Sequence, residues 1–165
     1  MKDKIKELFT RYREIIMYLI FGALTTLVGF GSYFVFLWLG EVLTGIPNDD
    51  ARFYIIRTVA QVLQWVLAVL FAYVTNRRWV FESRAQGTRA IAKEFSLFAS
   101  SRLATLGLDT LVTFGGVALL DALSYKPIHI IIDFTADFVA KCASAVLVII
   151  ANYVLSKLIV FRKKQ

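Results

Sequence analysis

The sequence predicts an all-α membrane protein, with four transmembrane helices arranged as two parallel two-helix repeats behind an N-terminal amphipathic helix at the membrane interface. Three observations lead to this fold class. The composition is 58% apolar with 14 Phe residues, several uncharged runs reach membrane-spanning length, and one sequence block recurs near the end of the chain. Such a composition is typical of membrane proteins and unusual for soluble domains.

The predicted spans follow one another along the chain. Residues 15–40 and 58–76 carry no charge and reach the roughly 20 residues that cross the hydrocarbon core of a bilayer. Residues 95–120 and 139–161 are similarly apolar but contain polar interruptions. The first run is too long for the apolar region of a signal peptide and lacks a small-residue cleavage site, so we expect it to be retained as an anchor. The four spans form one predicted domain, residues 15–162.

The segment before the first span predicts a cytoplasmic amphipathic helix, residues 1–14. Ile5, Leu8, Phe9 and Tyr12 recur at helical spacing among charged residues, as in helices that lie on a membrane surface. No helix-breaking residue separates this segment from the first span. We therefore expect the two to run into each other.

Positive charge is concentrated in alternate connections. The formal net charge is +7, and most Lys and Arg residues precede the first span, lie between the second and third, or follow the fourth. By the positive-inside rule, this asymmetry places both termini in the cytoplasm of a multi-pass plasma-membrane protein. The same distribution argues against nucleic-acid binding. The residues concerned are Lys2, Lys4, Lys6, Arg11, Arg13, Arg77, Arg78, Arg84, Arg89, Lys93, Lys157, Arg162, Lys163 and Lys164.

The end of the second span resembles the end of the fourth. Residues 71–81 read FAYVTNRRWVF and residues 151–161 read ANYVLSKLIVF. Because each copy holds two helices, both copies have the same orientation and are related by an axis along the membrane normal, as in some transporters. Polar residues that differ between the copies are the first candidates for function. In this register Asp137 matches Arg57, and Lys141 matches Gln61.

Ionisable residues within the spans are candidates for a functional site, because charges inside a bilayer are costly and rare. Arg102 and Asp109 are seven residues apart, which places them on one helix face, about 10 Å apart along the axis. They can bind a ligand or pair with each other, and Arg102 can also reach the inner headgroups. Lys141 likewise can bind a ligand or pair with Asp137, four residues earlier.

Polar and aromatic residues near the predicted cytoplasmic ends also have two interpretations. Asn76 and Asn152 can bind a ligand or hydrogen-bond across helices. Trp79 and Phe161 are more typical of anchors at the membrane–water interface than of sugar-stacking residues. No cluster has the spacing of a metal site and no nucleophile–base set is visible, so the sequence predicts no catalysis, no metal and no cofactor.

Short motifs occur in the second, third and fourth spans. They are A-x-x-x-N-R-x-W-V-F at Ala72–Phe81, F-x-x-x-R at Phe98–Arg102, and Ala140-Lys141 followed by Asn152-Tyr153 and Ser156-Lys157-x-x-Val160-Phe161. Each motif is weak alone, but their order and spacing are specific in combination. Together they resemble the GtrA-like family over residues 15–162.

The resemblance implies a flippase that moves a polyprenyl-phosphate-linked monosaccharide from the inner to the outer leaflet, for decoration of a cell-surface polysaccharide such as O-antigen or teichoic acid. It implies this lipid-linked sugar, membrane lipid and membrane glycosyltransferases of the same pathway as partners. The alternative is a non-transporting anchor or stabilising partner of a glycosyltransferase, which would need no cation within the membrane. A four-helix drug exporter is disfavoured, since that class would have a carboxylate in the first span and residues 15–40 have none.

A carrier for such a lipid must offer a cation and amides in a groove open to the bilayer, because its ligand combines an anionic phosphodiester, a polar sugar and an apolar tail. Counting from the predicted span ends puts Arg102 in the inner third of the membrane and Lys141 in the outer third. We expect a groove that passes the phosphate outward in two steps, which a second copy in a homo-oligomer can close. The expected substrate-binding residues are Ala72, Asn76, Phe98, Arg102, Asp109, Lys141, Asn152, Gln61, Arg57 and Asp137. The expected motif and interface residues are Trp79, Val80, Phe81, Val160 and Phe161.

Overall fold

The structure is a computed structural model that describes residues 2–47, 49–124, 128–129 and 133–161. Its long helices are α1 (Lys2–Thr44), α2 (Tyr54–Thr75), α3 (Thr88–Ala122) and α4 (Ala136–Leu155). In the described ranges, four helical segments are long and apolar enough to cross a membrane: Thr10–Thr44, Ala51–Val80, Thr88–Ala122 and Ala136–Val160. The predicted all-α membrane class with four spans is therefore confirmed.

The chain divides into two compact units, residues 1–84 and 85–165. In the first unit α1 packs against α2, which follows a short 3₁₀ turn at Ala51–Phe53. In the second unit α3 packs against α4. The connection from α3 to α4 contains a small antiparallel pair of strands, β1 (Ile128–His129) and β2 (Asp133–Phe134). Ile128 pairs with Phe134, and His129 with Asp133.

The helix predicted before the first span is part of α1. The backbone is helical from Lys2 without a break, as the sequence predicts. The side chains of residues 2–9, on which the amphipathic pattern mostly depends, lie outside the described part of the structure. An interfacial position for this segment stays a prediction.

In each unit the second long helix continues into a five-residue π-helical turn, Asn76–Val80 after α2 and Ser156–Val160 after α4. The Phe81 N–H donates to the Asn76 carbonyl at 2.8 Å, and the Phe161 N–H donates to the Ser156 carbonyl at 2.8 Å. Such i→i+5 bonds are rare and mostly occur as single turns inside α-helices. The two turns occupy matching positions in the repeated sequence. The arrangement of the units as parallel repeats stays a prediction.

At the end of each π-helical turn, two consecutive side chains are buried. Val80 and Phe81 are buried in the first unit, and Val160 and Phe161 in the second. In the first unit the Phe81 ring lies 6.4 Å from that of Tyr18. These motif residues therefore contribute to the small core of each unit.

Two further contacts join the end of α2 to α1. The Trp79 ring stacks on Phe21 with ring centres 5.4 Å apart. The Arg13 guanidinium donates to Glu82 Oε1 at 2.6 Å. Trp79 thus packs within its own unit, and its proposed place at the membrane interface stays a prediction.

The turn before α2 is capped by Asp50, which accepts a hydrogen bond from the Arg52 backbone N–H at 2.8 Å. The Arg52 guanidinium also donates to this carboxylate, at 2.7 Å. These hydrogen bonds hold the pKa of Asp50 below its usual range. The carboxylate therefore stays ionised and continues to cap the turn at mildly acidic pH.

The outward faces of the helices are strongly apolar. On α3, for example, Leu111 is 71% exposed and Phe114 is 73% exposed. Because lipid tails are as apolar as these side chains, association of helices in a bilayer depends on close packing and on hydrogen bonds between helices. The few polar and small residues between α3 and α4 are thus the ones that hold the second unit together.

Gly116 is one such residue, and its neighbour Gly115 provides a matched control. A Cβ at Gly116 would lie 3.0 Å from the Ala140 Cβ, whereas a Cβ at Gly115 would meet nothing within 4 Å. Gly116→Val is expected to lower the free energy of unfolding by about 1–3 kcal/mol relative to Gly115→Val, because it overpacks the α3–α4 contact. Thermal unfolding of both variants in detergent measures the difference. Equal stability would contradict the close packing of Gly116 against Ala140.

Candidate functional site

A row of polar side chains, here called the polar seam, runs between α3 and α4 in the second unit. On α3 its members follow one another at spacings of three and four residues, so they share one face of the helix. On α4 they also recur at spacings that keep them on the face turned toward α3. The polar seam consists of Arg102, Thr105 and Asp109 on α3, and Lys141, Ser144 and Asn152 on α4.

An ion pair between the two helices forms the centre of the polar seam. Lys141 Nζ donates to Asp109 Oδ2 at 2.6 Å and lies 2.9 Å from Oδ1. Ser144 Oγ donates to Asp109 Oδ1 at 2.7 Å and lies 3.1 Å from the Asp109 carbonyl oxygen. The Asp109 side chain is 24% exposed and that of Lys141 is 59% exposed. The Asp109 side chain is therefore the more enclosed of the two, and the Lys141 side chain is the more open.

This ion pair differs from both pairings that the sequence left open. Asp109 does not pair with Arg102, and Lys141 does not pair with Asp137. Those alternatives came from spacing along one helix, whereas the observed pair joins two helices that face each other. Asp137 instead lies exposed in the first turn of α4, where a negative charge favourably complements the helix dipole.

Arg102 lies at the other end of the polar seam. Its guanidinium carbon sits 4.7 Å from the centre of the Phe98 ring, a cation–π contact. Phe98 is fully buried, and its ring centre lies 6.0 Å from that of Phe161. Arg102 Nε is buried and has no hydrogen-bond partner among the described residues. An arginine carries five N–H donors, so this side chain has capacity for an anion.

Thr105 and Asn152 connect the two charged positions. Thr105 Oγ1 donates to Asn152 Oδ1 at 2.9 Å, and both side chains are buried. This hydrogen bond joins α3 to α4, so Asn152 acts across helices as its packing interpretation predicts. Its role toward a substrate stays a prediction.

The remaining predicted site residues lie in the first unit. Asn76 is buried, its amide donates to the Ala72 carbonyl at 2.7 Å, and its Oδ1 has no hydrogen-bond partner in the described ranges. Its observed hydrogen bond therefore lies within its own helix and not across helices. Near the start of α2, the Arg57 guanidinium lies 5.7 Å from the centre of the Phe53 ring. Gln61, one turn later, is exposed.

Two members of the polar seam were absent from the residues predicted from sequence. Ser144 follows Lys141 by three residues, and Thr105 follows Arg102 by three residues. Small polar residues one turn away from an intramembrane cation share its helix face. That spacing was the available signal.

Comparison with known proteins identifies the family. The profile described as "GtrA/DPMS, transmembrane domain" matches residues 17–161. The cell wall teichoic acid glycosylation protein GtcA of Listeria monocytogenes serovar 1/2a (strain EGD-e) is 34% identical over 163 residues, which cover 99% of this chain and 94% of that protein. GtcA of Listeria innocua is 33% identical over 163 residues, which again cover 99% of this chain and 94% of that protein. The uncharacterized membrane protein YwcD of Bacillus subtilis strain 168 is 31% identical over 149 residues, or 90% of this chain and 97% of YwcD.

These matches extend over nearly the whole chain and include every span. They agree with the four membrane-crossing segments of the structure and with the family that the motifs resemble. The chain therefore belongs to the GtrA/DPMS transmembrane-domain family and is a multi-pass membrane protein.

Proposed function

We propose that this protein is a flippase that moves a polyprenyl-phosphate-linked monosaccharide from the inner to the outer leaflet of the plasma membrane. The sugar then decorates a cell wall polymer. Similarity to two proteins named for cell wall teichoic acid glycosylation supports teichoic acid as that polymer. In this role the protein binds and carries its ligand, and the glycosyltransferases of the pathway perform the catalysis.

The environment of Arg102 supports this proposal most strongly. A guanidinium in a membrane-spanning helix is costly, and this one has a buried Nε without a hydrogen-bond partner among the described residues. Its planar fork can bind two phosphate oxygens at once. Its guanidinium carbon lies 4.7 Å from the centre of the Phe98 ring, a contact that uses none of its N–H donors. We assign Arg102 the first capture of the phosphodiester.

Lys141 provides the second cation. Its partner Asp109 lies seven residues beyond Arg102 on α3, which is about 10 Å along the helix axis. The Lys141 side chain is more than half exposed, so we expect a phosphate to approach its ammonium from the open side. Thr105 and Asn152 lie between the two cations, buried and hydrogen-bonded to each other, so a sugar hydroxyl group must replace that hydrogen bond in order to be held there. The polyprenyl tail stays in the lipid, against the apolar outer faces of α3 and α4.

The direction of transport requires that Arg102 be near the inner leaflet, which follows if both termini are cytoplasmic. The distribution of Lys and Arg predicts that orientation. Reporter fusions after Asn48 and Tyr125 are expected on the outside, and fusions after Gln86 and Gln165 on the inside. Alkaline phosphatase and green fluorescent protein fusions measure these positions. A single fusion on the opposite side would contradict the topology of four crossings, and inversion of all four would reverse the proposed direction.

One observation favours the alternative, a non-transporting anchor for a glycosyltransferase. Lys141 and Asn152 already have hydrogen-bond partners, so both can serve to hold α3 against α4. An anchor, however, gives no reason for an arginine with an unused buried donor at Arg102.

Reconstitution distinguishes the two functions. Purified protein in vesicles that hold a polyprenyl-phosphate monosaccharide on one leaflet should expose this sugar to a membrane-impermeant oxidant on the other side. Protein-free vesicles and vesicles with the Arg102→Ala variant serve as controls. A rate equal to that of protein-free vesicles would support the anchor.

A further inference from the structure

We infer that Asp109 is an internal counter-anion, which occupies Lys141 while no ligand is bound and competes with the phosphate of the ligand for that ammonium. This inference rests on the proposed function and concerns the same site. It changes the role of Asp109 from a residue that binds substrate to one that opposes binding and promotes release.

In the structure, the Asp109 carboxylate accepts hydrogen bonds from two side chains of α4. Both Asp109 oxygens lie within 2.9 Å of Lys141 Nζ, and Oδ1 also accepts from Ser144. An ammonium group has three N–H donors, and the carboxylate contacts it with both oxygens. A phosphate that binds Lys141 closely must therefore displace this carboxylate or share the ammonium with it.

Charge balance favours displacement. Lys141 and Asp109 form a neutral pair, and a phosphodiester adds one negative charge. Two anions on one ammonium repel each other, and the repulsion is stronger in the low dielectric of a membrane span than in water.

The exchange has a functional consequence for a carrier. A ligand that binds a cation tightly inside a membrane leaves slowly. A carboxylate that returns to Lys141 lowers the affinity for the phosphate and prevents the same ligand from rebinding. Ser144 holds the carboxylate in position for this return, since its hydroxyl donates to Oδ1 at 2.7 Å.

The test is the affinity of the purified full-length protein in detergent for a short-chain polyprenyl phosphate. Asp109→Asn should bind this probe about tenfold more tightly, a difference of about 1.4 kcal/mol. Ser144→Ala keeps both charges and only loosens the carboxylate, so it should bind about twofold more tightly. Asp121→Asn, which removes an exposed carboxylate from the far end of the same helix, is the control and should leave the affinity unchanged.

A double-mutant cycle separates competition from general repulsion of an anionic probe. If Asp109 acts by occupying Lys141, the gain from Asp109→Asn should be clearly smaller when Lys141→Gln is already present, because only the repulsion between the carboxylate and the probe then remains. An equal gain without Lys141 would overturn the inference, because the carboxylate would then act through its field alone. Unchanged or weaker binding by Asp109→Asn, at the thermal stability of the wild type, would also overturn it.

Two further outcomes are informative. If Asp109→Asn does not fold, Ser144→Ala decides, and unchanged binding by that variant contradicts the exchange. If the wild-type protein does not bind the probe at all, the proposed function fails and this inference fails with it. Binding by the wild type without any gain in the variants rejects the exchange alone and leaves the proposed function standing.

Discussion

Arg102→Lys is expected to reduce surface glycosylation by about tenfold or more at unchanged protein level, although it conserves the positive charge. Hydrogen bonds to charged groups contribute roughly 1.5–3 kcal/mol each, and lysine cannot reproduce the two parallel bonds of a guanidinium to a phosphate. Lysine also loses the planar contact with the Phe98 ring that orients the arginine. The measurement is lectin staining of the cell wall polymer, normalised to membrane abundance of the protein.

Arg89→Lys is the matched control for this variant. Arg89 is exposed in the first turn of α3, on the same helix as Arg102. Its replacement should leave staining at the wild-type level. Wild-type staining in Arg102→Lys as well would mean that any cation serves at this position. Bidentate capture of the phosphate would then be rejected.

Lys141→Gln is expected to lower stability, and Asp109→Asn in the same chain is expected to restore it. The single change leaves the enclosed Asp109 carboxylate without its ammonium partner, which costs about 1–3 kcal/mol. The double change removes both charges together, so the α3–α4 contact can become neutral without a large penalty. The double variant should nevertheless fail to deliver the lipid-linked sugar to the outer leaflet, because no second cation remains.

The control for this pair is Lys141→Gln with Asp137→Asn. It also removes one positive and one negative charge, but it leaves Asp109 without Lys141. It should therefore be at least as unstable as Lys141→Gln alone, because it also removes the Asp137 charge from the first turn of α4. Detergent unfolding, membrane abundance and surface-sugar staining of all three variants test the scheme. Full staining in the double variant at Asp109 and Lys141 would remove Lys141 from transport and support the anchor alternative.

Much of the fold was predictable because membrane spans are defined by length and apolarity. The uncharged run at residues 58–76 lies within the segment Ala51–Val80, and the interrupted run at residues 95–120 lies within α3. The continuation of the N-terminal segment into the first span was predictable for a similar reason, since no Gly or Pro interrupts it. The positions of the helix ends were predicted less accurately. The first turns of α3, for example, are polar, so hydropathy does not mark where this helix begins.

The partner of Asp109 was not predictable by the same means. Periodicity gives the angle of a residue around its own helix, and it therefore suggested Arg102 as a partner on the same face. Periodicity does not show on which side of α3 the neighbouring helix α4 lies. It also does not show which residues of α4 lie level with Asp109 along the helix axis. The choice of Lys141 depends on the packing of α3 against α4, including the close approach of Gly116 to Ala140. The π-helical turns were also missed, since no simple sequence period distinguishes them from α-helix.

The unbroken course of α1 has a mechanical consequence. Its 43 residues correspond to about 65 Å, roughly twice the 30 Å thickness of a hydrocarbon core. The boundary between water and lipid must therefore cross a continuous helix rather than a joint. Arg13, within this helix, is tied to Glu82 beyond the end of α2. A change in the orientation of the polar end of α1 is therefore expected to be transmitted along this helix to the membrane-embedded part of the first unit.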